Sequence, residues 1–190
     1  MLPQLLKDYD KVMIIASKRM SGHVDKLNTA LGADRVSWFS HITQHVPETL
    51  VEEARAFREE HHPGVLVAIG GGSAIGLGKA LSLDEYIPQI AVPSTFSGSE
   101  QTNIYGISSG GVKKTGRDDR VLPGAVIYDP ELLLTMPKNL TVTSAMNAMA
   151  HLMEAMYSPS GNPITSHIAM QGMNAIKNGI RELAVSDSLT

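Results

Sequence analysis

Val65-Leu66-Val67-Ala68-Ile69-Gly70-Gly71-Gly72-Ser73-Ala74-Ile75-Gly76-Leu77-Gly78-Lys79 is the stretch whose reading decides the fold. An unbroken apolar run, Val65 to Ile69, ends in consecutive glycines, and a small-residue segment of helical character follows Ser73. A short apolar run that breaks into glycine and passes into a helix is how a buried parallel strand brings backbone N–H groups to a phosphate. Glycine has no Cβ, so the backbone can approach an oxyanion closely. Ser73 is expected to cap the helix and offer its hydroxyl to the same anion. The spacing is neither G-x-G-x-x-G nor the Walker pattern, so taken alone it fits a plain strand-to-helix turn equally well.

The segments on either side supply the context. Lys11 to Ser17 reads as a buried strand after a helical tail at Met1 to Asp10. Ser21 to Leu31 has Val24, Leu27, Ala30 and Leu31 at helical spacing and is closed by Gly32. Val36 to Phe39 reads as a second strand, and Pro47-Glu48 opens a helix that runs to about Glu60. After the glycines, Ser73 to Leu83 is helical and Ile90 to Val92 is a fourth strand. This alternation argues for an α/β fold with a parallel sheet covered on both faces. Thr102 to Lys114 breaks the alternation and reads as a hairpin around Ser108-Ser109-Gly110-Gly111. Val126 to Tyr128 is the last expected strand. Helices follow at Glu131 to Thr135, Ser144 to Tyr157 and about Ile164 to Leu183, which puts a domain boundary near Met136-Pro137 and divides the chain into 1–136 and 137–190.

Composition narrows the function classes. A net charge of −3 with no local basic cluster argues against a nucleic-acid partner. The chain has no cysteine, which excludes disulfides, thiolate nucleophiles and Cys-ligated metals. No apolar run is long enough for a membrane span, and Met1 to Asp10 lacks the apolar core of a signal peptide, so a cytoplasmic location with no membrane partner is expected.

Further motifs follow the glycine stretch. Ile90 to Pro93 runs into Ser94-Thr95-Phe96-Ser97-Gly98-Ser99-Glu100. Lys113-Lys114-Thr115-Gly116-Arg117-Asp118 comes next, and Val121-Leu122-Pro123-Gly124-Ala125-Val126-Ile127-Tyr128-Asp129-Pro130 closes the series. Together with G-G-G-S-A-I-G-L-G-K-A, and in this order, the motifs resemble those of iron-type alcohol dehydrogenases. Within that superfamily they are most similar to maleylacetate reductases. The resemblance implies a dehydroquinate-synthase-like fold, a Rossmann-like parallel sheet domain followed by the start of an all-helical domain. The implied activity is NADH- or NADPH-dependent reduction of the C=C bond of a dicarboxylate such as maleylacetate, giving 3-oxoadipate in aromatic catabolism. Two other readings remain: a metal-dependent alcohol dehydrogenase, and a non-catalytic or split nucleotide-binding subunit.

The resemblance also implies roles for particular residues. Gly71, Gly72 and Ser73 would bind the pyrophosphate. Ser94, Thr95, Ser97 and Thr102 would supply hydroxyls to the ribose portions, each able to donate and accept. Ser17 stands where the superfamily chooses between NAD and NADP. It is followed by Lys18 and Arg19 and has no carboxylate beside it, which leans toward tolerating NADP, with solvated surface charges as the plain alternative. Lys113 or Lys114 would reach a ribose or a substrate carboxylate, or simply decorate a solvated hairpin.

On the helix expected from Ser144, Asn147 and His151 are four residues apart and share a face. Metal-dependent relatives carry Asp at the first of these positions. An amide oxygen is a poorer ligand than a carboxylate, so a divalent metal is doubtful, and His151 would instead bind substrate or polarise its carbonyl. His167 reads as structural, and the methionines at helical spacing (Met146, Met149, Met153, Met156, Met170, Met173) as core filler. Relatives extend through further helices, so the helices from Ser144 to Leu183 are expected to carry an apolar face with too little to cover it. That face implies a homodimer contact or a partner chain.

Overall fold

The run Val65 to Ile69 has no polar side chain, and it lies where such a run is stable. Strand β3 (Val65–Gly70) is buried at every position and sits between β1 (Val12–Ala16) and β4 (Gln89–Pro93). The structure is a computed structural model that describes residues 1–187. It divides into one unit over Met1–Thr135 and a second from Met136 onward.

In the first unit, the described residues form a parallel sheet in the order β2-β1-β3-β4-β7, with β2 at Val36–Phe39 and β7 at Ala125–Val126. The helices are α1 (Leu2–Leu5), α2 (Ser21–Leu31), α3 (Glu48–His61), α4 (Gly72–Asp84) and α5 (Pro130–Leu133). Alternate residues of each buried strand face opposite layers. Val12, Ile14, Val65 and Val67 pack with Val24, Leu27 and Leu31 of α2. Met13, Ile15 and Leu66 pack with Leu50, Val51 and Ala54 of α3 and with Leu77, Ala80 and Leu81 of α4. Each such side chain, fully buried, contributes about 1.5–3 kcal/mol. This layering is why the central strands read as continuous apolar runs and show no alternation.

The hairpin forms separately. Strands β5 (Ile104–Ser109) and β6 (Val112–Arg117) pair antiparallel with Ser109 opposite Val112. Gly110 and Gly111 have φ of +57° and +78°, the all-positive pair that a two-residue hairpin turn of right-handed twist requires. The hairpin is tied to the loop before α3: the Ser108 amide donates to Val46 O at 3.1 Å and its hydroxyl to His45 O at 2.8 Å.

Several sequence expectations need correcting. The N-terminal helical tail is a single short turn, Leu2–Leu5. Strand β7 covers Ala125–Val126, although the Ile127 amide still donates to Ala91 O at 2.9 Å. In the second unit, α6 runs Lys138–Tyr157 and starts six residues before the expected Ser144. The intervening K-N-L-T-V-T is rich in β-branched residues, which lower helix propensity. The threonine hydroxyls turn inward on the helix: Thr141 donates to Pro137 O at 3.2 Å and Thr143 to Asn139 O at 2.9 Å.

Helix α7 (Pro163–Asp187) packs on α6, with Gly172 placed where a Cβ would come within 2.8 Å of Leu152 Cδ1. Met146, Met153, Met156 and Met170 are exposed, as are Leu140, Tyr157, Ile164 and Ile168. Four of the methionines are therefore not core filler in this chain, and the expectation of an uncovered apolar face holds. No helix among the described residues is long and apolar enough to cross a membrane.

Arg35 closes the amino-terminal edge of the first unit. Its guanidinium donates to Leu6 O at 3.2 Å, Lys7 O at 3.3 Å, Tyr9 O at 2.5 Å and Leu31 O at 3.4 Å. Removing it takes a donor from each of those carbonyls, and of them Leu6 O keeps the Tyr9 amide at 3.3 Å. Arg35→Ala is therefore expected to cost about 1–3 kcal/mol in urea unfolding, and to speed hydrogen exchange in Met1 to Asp10 more than in the sheet.

Candidate functional site

Strand order reverses between β1 and β3, and in such sheets a crevice opens at the carboxyl ends of the strands. Both flanks of that crevice carry expected site residues. Ser17 follows β1 and caps the short turn Lys18–Met20, with its carbonyl accepting the Met20 amide at 2.9 Å. Gly70 to Ser73 follow β3. Ala16 pairs with Ile69 in register, so Ser17 and Gly70 leave neighbouring strands at the same level.

The turn after β3 is tighter than the sequence implies. Gly71 is the helix cap and α4 begins at Gly72, because the amides of Ala74 and Ile75 both already donate to Gly71 O, at 3.1 and 3.2 Å. Ser73 lies inside the first turn and is not the cap, which corrects the expectation. Amides at the start of a helix have no intrahelical acceptor, so Gly72 and Ser73 present open N–H groups at the positive end of α4.

The loop after β4 lies directly on this turn. The Ser94 amide donates to Gly70 O at 2.9 Å, and Ser94 itself is buried. A Cβ on Gly71 would come within 2.9 Å of Thr95 Cγ2 and 3.1 Å of Thr95 Oγ1. One on Gly72 would lie 3.5 Å from Ser97 Oγ. The neighbouring loop crowds out a side chain at Gly71, whereas at Gly72 the contact would be an ordinary one. Gly71, Gly72, Ser73, Ser94, Thr95 and Ser97 are thus gathered at one place, beside Ser17.

Thr102 leads to a residue the motif reading passed over. Lys79, fully buried on α4, donates to Ser99 O at 2.5 Å, Thr102 O at 2.7 Å, Ile104 O at 2.9 Å and Thr102 Oγ1 at 3.1 Å. The Thr102 hydroxyl also lies 3.3 Å from Ser99 O. It belongs to a cage around the lysine ammonium. The available signal was the lysine itself, a cation in the otherwise apolar run Ile75 to Leu81. Glu100, also buried, accepts the Tyr128 hydroxyl at 3.1 Å on one oxygen, and its other oxygen is without a partner.

Lys113 and Lys114 are exposed on β6, opposite Ser108 and Ile107 of β5. In the second unit Asn147 and His151 are exposed on α6, and His151 Nδ1 lies 3.3 Å from Glu154 Oε2. His167, read as structural, is exposed on α7. Among the described residues no three His, Cys, Asp or Glu side chains converge on a metal position.

Burial pulls the Lys79 ammonium from its ordinary value of 10.5 down to about 8, and the Glu100 carboxylate opposes part of that fall. Between these two values the unfolded chain holds a proton that the folded chain has released, so stability rises with pH across the window. Below about pH 8 both states are protonated and Lys79 adds no slope. Wild type is expected to gain stability over Lys79→Met between pH 8 and pH 10 in parallel denaturant titrations; equal slopes for the two proteins would contradict the assignment.

The whole chain has relatives of known sequence and structure. Residues 1–130 match the iron-containing alcohol dehydrogenase family, and residues 141–188 match the C-terminal part of the Fe-containing alcohol dehydrogenase family. The chain is 42% identical over 180 residues to maleylacetate reductase of Burkholderia cepacia, which covers 92% of this chain and 51% of that protein. It is 45% identical over 147 residues to maleylacetate reductase of Pseudomonas knackmussii, covering 77% of this chain and 42% of that protein. Among solved structures, iron-containing alcohol dehydrogenase of Corynebacterium glutamicum superposes with a TM-score of 0.88 at 34% identity, over 97% of this chain and 52% of that one. Maleylacetate reductase of Agrobacterium tumefaciens superposes with a TM-score of 0.85 at 35% identity, over 92% and 51%. The chain spans about half the length of the curated relatives it matches. The architecture is the dehydroquinate-synthase-like one, and the chain belongs to the iron-containing alcohol dehydrogenase family.

Proposed function

We propose that this chain is the nucleotide-binding portion of an NAD(P)H-dependent oxidoreductase of the maleylacetate reductase kind, acting on an unsaturated dicarboxylate such as maleylacetate. The observation that carries this reading is the contact of the Gly70–Gly72 turn with Thr95 and Ser97 at the strand-order reversal. The maleylacetate reductases among the relatives support the substrate class.

When bound, the reduced nicotinamide supplies the hydride. The chain's own residues hold and orient the nucleotide. The amides of Gly72 and Ser73, backed by the α4 dipole, take the negative pyrophosphate. The hydroxyls of Thr95 and Ser97 stand within reach of the same turn and bond the adjoining ribose. Ser17, with no carboxylate beside it and with Lys18 and Arg19 exposed, leaves room for a 2′-phosphate, so NADPH is accepted as well as NADH. Lys113 or Lys114 offers an exposed cation to a substrate carboxylate. His151, with Asn147 one turn before it, binds or polarises the substrate carbonyl. The apolar faces of α6 and α7 are assigned to contact with a second copy or another chain.

The family takes its name from iron, and it lends no support to setting the metal aside on the strength of Asn147. Asn147 and His151 by themselves bring an amide and an imidazole to one helix face. The described residues do not complete a metal site around them.

Calorimetric titration of the full chain with NADH and NADPH tests the reading, with Gly71→Val alongside. The new side chain must displace Thr95, at an overpacking cost of about 1–3 kcal/mol. Wild type is expected to bind both nucleotides, and Gly71→Val to bind about tenfold more weakly or worse. An absence of saturable binding to wild type would overturn the reading. Where binding is found, loss of NADH absorbance on adding maleylacetate tests the substrate class.

A further inference from the structure

A cation with no exposure at all is an unusual tenant for a helix packed against a sheet. Leu77, Gly78, Ala80 and Leu81 around Lys79 are buried as well, and an apolar residue of similar length would avoid the desolvation of a charge. The use of the lysine shows in its acceptors. An ammonium has three hydrogens, and here they meet three backbone carbonyls, Ser99 O, Thr102 O and Ile104 O, with Thr102 Oγ1 beside them. All of these oxygens belong to one short segment, the stretch that joins the loop after β4 to strand β5. Without the ammonium, Ser99 O keeps only the Thr102 amide and hydroxyl, each at 3.3 Å, while the carbonyls of Thr102 and Ile104 lose the lysine as a donor, which favours opening of the segment to water.

The segment is continuous with the part of the loop that touches the glycine turn. Its start is pinned where the Ser94 amide donates to Gly70 O at 2.9 Å. Its far end is pinned by Lys79. Between the pins lie Thr95, Phe96, Ser97 and Gly98, and the chain at Gly98 takes a φ of +70° as it turns back. Helix α4 thus does two things: its first amides face the crevice, and its eighth residue, Lys79, holds the opposite wall. Both walls are tied to one rigid element. Glu100, within the pinned segment, supplies the buried counter-charge.

We propose that Lys79 is the positioning residue of the nucleotide crevice: by caging the Ser99–Ile104 segment it fixes where Thr95 and Ser97 stand over the Gly70–Gly72 turn. It touches no ligand, and its effect on binding passes through the loop. This inference rests on the nucleotide-binding reading above, and it adds a residue and a means of control to it.

The test compares wild type, Lys79→Met and Lys79→Arg as full chains, measuring NADH affinity by calorimetry and amide hydrogen exchange by region. Lys79→Met is expected to weaken NADH by about tenfold or more and to speed exchange over residues 95–104, while β1 and β3 keep their protection. Lys79→Arg, which restores a cation and its donors, is expected to recover most of the affinity. Unchanged affinity in Lys79→Met would overturn the proposal. So would exchange that rises equally in β1, β3 and the loop, since that is a general loss of stability, and so would a Lys79→Arg protein no better than Lys79→Met.

Should Lys79→Met fail to fold, Thr102→Val decides, because it keeps the lysine and the three carbonyls and removes the hydroxyl that joins Lys79 to Ser99 O and the Ile104 amide. Faster exchange over 99–104 with roughly two- to fivefold weaker NADH binding supports the proposal, and no change in either overturns it. A wild-type chain that does not bind NADH removes the functional reading and the proposal together. A wild-type chain that binds while the variants bind equally well removes the proposal alone.

Discussion

Everything in the crevice depends on a glycine backbone approaching the facing loop more closely than a side chain in its place would allow. The turn after β3 and the loop after β4 are joined by a hydrogen bond from Ser94 N to Gly70 O, and a Cβ at Gly71 would fall inside contact distance of Thr95. The parallel register of β3 and β4, with Gly70 opposite Pro93, delivers both segments to the same level at the carboxyl edge of the sheet. Open amides at the start of α4 and hydroxyls on the facing loop follow from that single approach. Such a crevice suits an anion, because open N–H groups at a helix start favour negative charge.

Burial fixes the frame that makes the approach reproducible. The central strands are apolar on both faces because helices cover both, and the layer containing α4 is packed through Leu77, Ala80 and Leu81. A helix held this firmly can carry a charged residue at its middle and transmit its position. Lys79 uses that stiffness: the desolvation of its ammonium is offset by hydrogen bonds to three carbonyls and a hydroxyl of one segment. The hairpin is tied to the loop before α3 through Ser108 and to α4 through the Lys79 bond to Ile104 O, and its outer strand β6 faces solvent.

The sequence showed much of the frame. Continuous apolar runs at Val12 to Ala16 and Val65 to Ile69 can only be interior strands, and Gly110-Gly111 marks a hairpin whose turn needs positive φ at both positions. The gathering of Gly71, Gly72, Thr95 and Ser97 was also legible, because the two motifs that carry them end neighbouring strands. Other features were hidden, for physical reasons. The start of α6 was obscured because threonines lower helix propensity while their hydroxyls bond back to the helix. Ser73 looked like a cap because serine favours that position, yet Gly71 takes it where the chain must turn under Thr95. The bond from Lys79 to Thr102 was hidden because a hydroxyl's partner is set by tertiary structure. Methionine spacing on α6 and α7 marks an apolar face correctly and does not say what covers it.

The central claim, that the amides after β3 and the loop after β4 together hold a nicotinamide nucleotide, is tested most directly by an amide NMR titration of the full chain with NADH. The expected result is saturable shifts that are largest at Gly71, Gly72, Ser73, Thr95 and Ser97, with α3 and β6 little changed. Saturable shifts that spare the glycine turn and cluster elsewhere, or a spectrum that does not move at all, would contradict it.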